Sequence, residues 1–341
     1  MWFIFKAFLW TIGAMAALIA IAVLTFGTPD LDRDLLANYY APKPSKFLSL
    51  PSGTSLHYRD QGPSLAPALL LLHGTGSSLH TWEPWVEALS HSYRVISMDL
   101  PAHGLTGKTA ENDYSTEGMV RAVHSLISQL GIERLVIGGN SMGGKISMAY
   151  ALAYPQKIAG LVLVDSAGFV PENSPEPTLP LGFKLAKLPG ISWIMETITP
   201  RSMIKQGLET AMANDDLVTN AMVDRSWHLL LMDGSRKALL DYFSHINERV
   251  DPSKITAPTL IQWGREDRMI PLSVGRALER AMPNATLVVY DDLGHIPMEE
   301  DPQRTVQDVR MFLASLQPED AWEGAAPRNA SKNSITPAAN F

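Results

Sequence analysis

Leu135-Val136-Ile137-Gly138-Gly139-Asn140-Ser141-Met142-Gly143-Gly144 is the stretch on which the fold turns. Leu135 to Gly139 is a short apolar run with β-branched residues and reads as a buried strand. Lys145 to Tyr154 has helical character, and Pro155 closes it. Ser141 stands at the junction, on a tight strand-to-helix turn that pushes its hydroxyl out above the sheet. Such a turn strains the serine's dihedrals and leaves no room for neighbouring side chains. Gly139 and Gly143 are the residues that geometry asks for. The helix N-terminus that follows favours developing negative charge. A glycine-rich loop that happens to contain serine is common, so the partners downstream decide the reading.

Working outward, Ala257 to Gly264 reads as a strand ending in a turn, with Asp267 just beyond it. Thr286 to Tyr290 reads as the next strand, and His295 lies in the loop after it, within Gly294-His295-Ile296-Pro297. A serine hydroxyl is a poor nucleophile at neutral pH and needs a base that titrates near 7, which histidine supplies. A carboxylate then orients the ring and stabilises the imidazolium. Glu266 competes for that role, but the turn spacing favours Asp267. Asp291 and Asp292 are close to His295 in sequence and read as surface carboxylates. Of the nine histidines, His73 and His103 also follow strands and are expected near the same face, below His295 as the base.

Upstream, Ala68 to Leu72 is a continuous apolar strand, followed by His73-Gly74-Thr75-Gly76-Ser77-Ser78. Acyl transfer places negative charge on the former carbonyl oxygen. One backbone N–H aimed at it is worth roughly 3 kcal/mol. Met142, after the nucleophile, is expected to supply one such donor and Thr75 the other. Both act through the main chain.

The order Ser141, Asp267, His295 resembles that of α/β-hydrolase triads. The likeness extends over roughly residues 45–316 and includes His73-Gly74, Asp99-Leu100-Pro101-Ala102-His103-Gly104, Gly139 to Gly144, Trp263 to Asp267 and Gly294 to Pro297. It implies an α/β fold with an eight-stranded, mostly parallel sheet, helices on both faces, and a helical cap inserted after the sixth strand. Members that open epoxides or displace halide use aspartate where this chain has Ser141. The Gly139 to Gly144 string also resembles hydrolases that cleave carbon–carbon bonds in ring-fission products. Those carry a proline in the oxyanion loop and an aromatic after the catalytic Gly-His, whereas this chain has Ser77 and Ile296. It also lacks the His-Gly-Gly-Gly run of one esterase branch. The resemblance implies carboxylester hydrolysis of small to medium apolar acyl groups first. A carbon–carbon hydrolase, a cofactor-free perhydrolase and an idle binding protein on the same fold stand as rivals.

Ala7 to Phe26 carries no charged residue. As a helix it matches a bilayer core of about 30 Å. Lys6 precedes it, and Asp30, Asp32, Arg33 and Asp34 follow. That asymmetry predicts an N-terminus inside and a catalytic domain on the extracytoplasmic side. The competing reading is a signal peptide, cleaved to release a secreted protein, though its apolar region is normally only about 7–15 residues. The expected organisation is an anchor over 1–27, a stalk over 28–45, a core over 46–168 and 251–316, a cap over 169–250 and a disordered tail over 317–341. Met195, Met203, Met212, Met222 and Met232, with Trp193 and Trp227, read mainly as the cap's own core, with an adaptable pocket wall as the functional alternative.

The formal charge of −7 offers no basic face for nucleic acid. With no cysteine, disulfides, thiolate zinc sites and a thiol nucleophile are excluded. No phosphate-binding or dinucleotide fingerprint and no His-Glu-x-x-His spacing occurs, so no cofactor or metal is expected. The expected partners are a small-molecule ester and the membrane.

Overall fold

The computed structural model describes residues 2–171, 193 and 196–316. Its apolar runs become the central strands β3 (Ala68–Leu72), β4 (Arg94–Met98), β5 (Leu135–Asn140), β6 (Ile158–Val164) and β7 (Thr259–Gly264). All but the first residue of β4 are buried, as expected for strands covered on both faces. With β1 (Lys46–Ser49), β2 (Ser55–Gln61) and β8 (Ala285–Tyr290) they form an eight-stranded sheet of order β1-β2-β4-β3-β5-β6-β7-β8. β2 pairs antiparallel with β1 and β4, and every other pairing is parallel. The strand order reverses at β3, so the loops leaving β3 and β5 diverge. A crevice opens there beyond the carboxyl ends of the strands.

Alternation along β3 divides the core. Leu70 and Leu72 join residues of α4 (Thr116–Gln129), α5 (Met142–Ala153) and α9 (Leu272–Ala281) on one face. Leu69 and Leu71 join α3 (Glu83–Leu89) and α11 (Pro302–Ser315) on the other. A one-turn helix, α10 (Pro297–Glu300), precedes α11. Between β6 and β7 the chain leaves the sheet and forms α6 (Arg201–Ala211), α7 (Asn220–Leu230) and α8 (Ser235–Tyr242).

The N-terminal helix α1 (Trp2–Phe26) leaves none of the described residues of the apolar window Leu9–Phe26 buried. The segment expected as a stalk is not a bare spacer. It forms α2 (Arg33–Tyr40), whose Leu36 and Tyr40 pack on Leu105, Leu229 and Met232. Thr28 N–H donates to Thr197 O at 2.9 Å and Leu31 N–H to Leu231 O at 2.7 Å. Buried Arg236 donates to Thr28 Oγ1, Thr28 O and Asp30 Oδ1 at 2.9, 2.9 and 2.6 Å. The physical reason is a guanidinium with several donors to satisfy and a linker that offers carbonyls, a hydroxyl and a carboxylate.

Met212 and Met232 are buried and Met222 packs against the core, whereas Met203 and Trp193 are exposed. Trp227 Nε1 donates to Thr199 O at 2.8 Å. Met195, the proline-rich opening of the insertion beyond Pro171, and the tail over 317–341 lie outside the described residues.

Candidate active site

Ser141 has φ 51° and ψ −114°, off the allowed regions for a residue with a side chain. The turn leaves no alternative. A Cβ on Gly139 would collide with the Gly143 backbone, and one on Gly143 would collide with Leu72 O. Met142 opens α5, so no helix carbonyl lies four residues behind to accept its N–H. On the other side, Gly74 sits so close that a Cβ there would lie 3.4 Å from Ser141 Cβ. The loop bearing Thr75 therefore runs beside the serine. Thr75 Oγ1 donates to Tyr242 Oη at 3.4 Å, which turns the side chain toward α8 and away from any catalytic task.

His295 and Asp267 are both buried, and His295 Nδ1 bonds Asp267 Oδ2 at 2.7 Å. Asp267 Oδ1 accepts the N–H groups of Met269 and Ile270 at 2.7 and 2.9 Å. The carboxylate is thus held from both sides. Acceptance by Asp267 places a proton on Nδ1 and leaves Nε2 as the nitrogen with a free lone pair. The competitors separate cleanly. Glu266 is exposed on the same turn, Asp291 pairs with Arg265, and Asp292 pairs with Arg304.

Four contacts that sequence reasoning missed hold the histidine loop. Asn140 Nδ2 donates to His295 O at 2.8 Å, tying the residue before Ser141 to the histidine. His295 N–H donates to Ala211 O at 2.7 Å, at the end of α6. Glu300 accepts from Gly294 N–H and Ala213 N–H, both at 2.7 Å. Asp165, at the end of β6, lies against the pair: one oxygen of each carboxylate and one His295 nitrogen all lie within 4.8 Å. The signal for Asp165 was present in the sequence, since an acid directly follows the apolar run Ile158 to Val164.

The other two histidines are structural supports. His73 Nδ1 donates to Gly74 O at 2.8 Å while Nε2 accepts Leu100 N–H at 3.0 Å, locking one neutral tautomer and bracing the loop before Thr75. Burial pushes its pKa down. His103 donates to Pro101 O at 2.9 Å, and burial holds its pKa at about 3. Neither can act as a base with a pKa near 7. A small recess lies between the Gly76-Ser77 loop and Leu229, Leu230 and Leu239 of the insertion, with His103 on its wall.

A family model described as the α/β-hydrolase fold matches residues 67–192 and 201–302, which is most of the chain. The protein belongs to the α/β-hydrolase family. Among curated relatives, Lipase 1 of Psychrobacter immobilis is 29% identical over 80% of this chain and 84% of its own. A 2-hydroxy-6-oxononadienedioate/2-hydroxy-6-oxononatrienedioate hydrolase of Paraburkholderia phymatum is 30% identical over 79% of this chain and 95% of its own. Among solved structures, a bacterial membrane phospholipase A superposes with TM-score 0.70 at 23% identity, covering 93% of this chain and 99% of its own, a likeness of fold. Lipase-like and carbon–carbon-cleaving hydrolases thus both stand among the relatives of this α/β hydrolase.

Proposed function

We propose that this α/β hydrolase is a membrane-anchored serine esterase acting on carboxylic esters of small to medium apolar acyl groups. The observation that carries the reading is the junction of three loops. The strained Ser141 turn, the Asp267–His295 bond and the Asn140–His295 tie support Ser141, His295 and Asp267 as nucleophile, base and acid.

The chemistry follows from those positions. Ser141 Oγ attacks the acyl carbon as its proton passes to His295 Nε2. The oxyanion of the tetrahedral intermediate takes hydrogen bonds from the N–H groups of Met142 and Thr75. Collapse expels the alcohol, which receives the proton from His295, and leaves an acyl-enzyme on Ser141. Water then attacks with His295 again as base, releasing the acid and restoring the hydroxyl. The leucines Leu229, Leu230 and Leu239, which face the Gly76-Ser77 loop, support an apolar acyl group. The insertion over the site serves as the cap, whose cover limits water at the serine. No step asks for a cofactor.

The apolar helix α1 supports an anchor. Lys6 before it and the acidic cluster after it support an extracytoplasmic catalytic domain.

The test is hydrolysis of p-nitrophenyl esters of increasing acyl length by the full chain in detergent, beside Ser141→Ala. Hydrolysis with an optimum at short or medium chains, abolished in the variant, is the expected result. A folded protein that turns over no ester overturns it.

The second reading, carbon–carbon cleavage of a vinylogous diketo acid, is favoured by the 30% identity to the Paraburkholderia enzyme. Turnover of such an acid with negligible ester hydrolysis would select it.

A further inference from the structure

Asp165 is fully buried at the carboxyl end of β6, where its φ of 42° lies in the left-handed region that carries strain for an aspartate. Its N–H donates to Gln262 O at 2.9 Å, which pins the residue between β6 and β7. Its two oxygens are treated unequally. Oδ1 accepts Gly264 N–H at 2.9 Å. Oδ2 is buried and accepts a hydrogen bond from no donor among the described residues. Asp267, by contrast, has three donors for its two oxygens.

The groups facing Asp165 explain the difference. Asp267 comes from the turn after β7, His295 from the loop after β8, and Glu300 from α10. From α5 the neighbour of the following residue, Ser166, is the uncharged Gly144. Of these groups His295 alone can carry positive charge, and Asp267 already holds it through Nδ1. A second buried carboxylate there would have one amide donor and two acidic neighbours. That is far too little to replace water around an ion. Burial first, and then the Asp267 charge, push its pKa well above the ordinary carboxylate range. The same three groups are a poor cage for a cation, because the Asp267 and His295 atoms are already bonded to each other.

We propose that Asp165 is a positioning residue of this site, kept as the neutral carboxylic acid, whose Oδ2 proton is aimed at the Asp267 carboxylate and fixes it toward His295. The inference rests on the Ser141, His295 and Asp267 reading above. The neutral acid gives Asp267 a further donor without adding negative charge to the site. The imidazolium that forms during catalysis then faces one carboxylate of defined orientation rather than two that repel each other.

The test compares Asp165→Asn and Asp165→Ala with the unaltered full chain. Asparagine has the shape of the protonated acid, keeps a donor, and never ionises. The sign follows from linkage. A buried acid whose folded pKa is raised holds more protons folded than unfolded across the window between its two pKa values, so its stability contribution falls as pH rises. Asp165→Asn should therefore match the unaltered protein in Tm near pH 4 and exceed it increasingly from pH 5 to 8. It should keep kcat within about threefold and leave the acid limb of kcat/KM where it was. Asp165→Ala should lower kcat tenfold or more at little change in KM, with asparagine restoring it.

A Tm difference that stays flat with pH would overturn the proposal. So would an acid limb moved down by half a unit or more in Asp165→Asn, because that means a negative charge had been removed. Unchanged kcat in Asp165→Ala would remove the positioning role. The Tm series needs no turnover. A failed proposal is therefore distinguishable from a failed serine mechanism, which would appear as full activity in Ser141→Ala.

Discussion

The floor and the roof of the site are built in different ways. The floor is the set of loops at the carboxyl ends of β3, β5, β7 and β8. Each residue there is placed by its own strand end within a few positions: Thr75 after β3, Ser141 after β5, Asp267 after β7, His295 after β8. The roof is the insertion between β6 and β7, held by contacts from far along the chain. Arg236 reaches Thr28 across 208 residues, and Tyr40 reaches His228 across 188. Local strand ends therefore position the chemistry, whereas long-range polar contacts position the cover.

Four changes would break or sharpen that contrast. The largest effect belongs to the floor. Asp267→Asn keeps the shape but favours the wrong imidazole tautomer, so kcat should fall by about 10⁴ with Tm little changed. A fall below tenfold would mean that another acid serves His295. Gly143→Ala comes next, because the added methyl meets Leu72 O and the strand must move. A stability loss of roughly 3 kcal/mol or more and a kcat loss beyond tenfold are expected from thermal melts and ester assays.

The roof should respond differently. Arg236→Ala leaves Thr28 O and Asp30 without their guanidinium donor. Stability should drop by about 2–4 kcal/mol, with protease cutting first near residues 28–45 or within the insertion. Turnover of short esters should change less than tenfold. A kcat loss as deep as that of Asp267→Asn would erase the distinction between floor and roof.

Lys145 joins the two regions. It sits four residues past Ser141, its Nζ donates to His245 O at 3.3 Å, and it lies over the Tyr242 ring of α8. Burial lowers its pKa from 10.5 to about 8. The unfolded chain therefore binds the extra proton between about pH 8 and 10.5, and stability rises with pH across that window. Lys145→Met removes the cost of the buried ammonium and should raise stability at pH 7 by on the order of 1–2 kcal/mol. The gain should shrink toward pH 10. A gain independent of pH would trace to packing instead.

Much of the floor was legible because its determinants are local. Ser141 between two glycines carries its turn with it, since no other residues fit beneath β3. Asp267 rather than Glu266 meets His295, because the shorter side chain caps Met269 and Ile270 from a buried position while Glu266 is exposed. The ties from Asn140, Ala211 and Glu300 to the histidine loop were not legible. They join segments as much as 155 residues apart, and no periodicity or motif records such a meeting. Asp165 was visible as an acid after a strand, but the orphaned Oδ2 exists only once β6 and β7 lie side by side.

The sequence by itself determined the parallel sheet, the turn that carries Ser141 and the chain order of the proposed serine, acid and base. Hydrophobic runs and glycine positions act over a few residues, and their steric consequences need no partner. Only the tertiary structure decided that residues 28–45 lie against the insertion, that Met203 and Trp193 face outward, and that the histidine loop is held by the insertion as well as by the sheet. Those outcomes depend on which distant donors and acceptors remain to be satisfied after the core has closed, and that is a property of the packed whole.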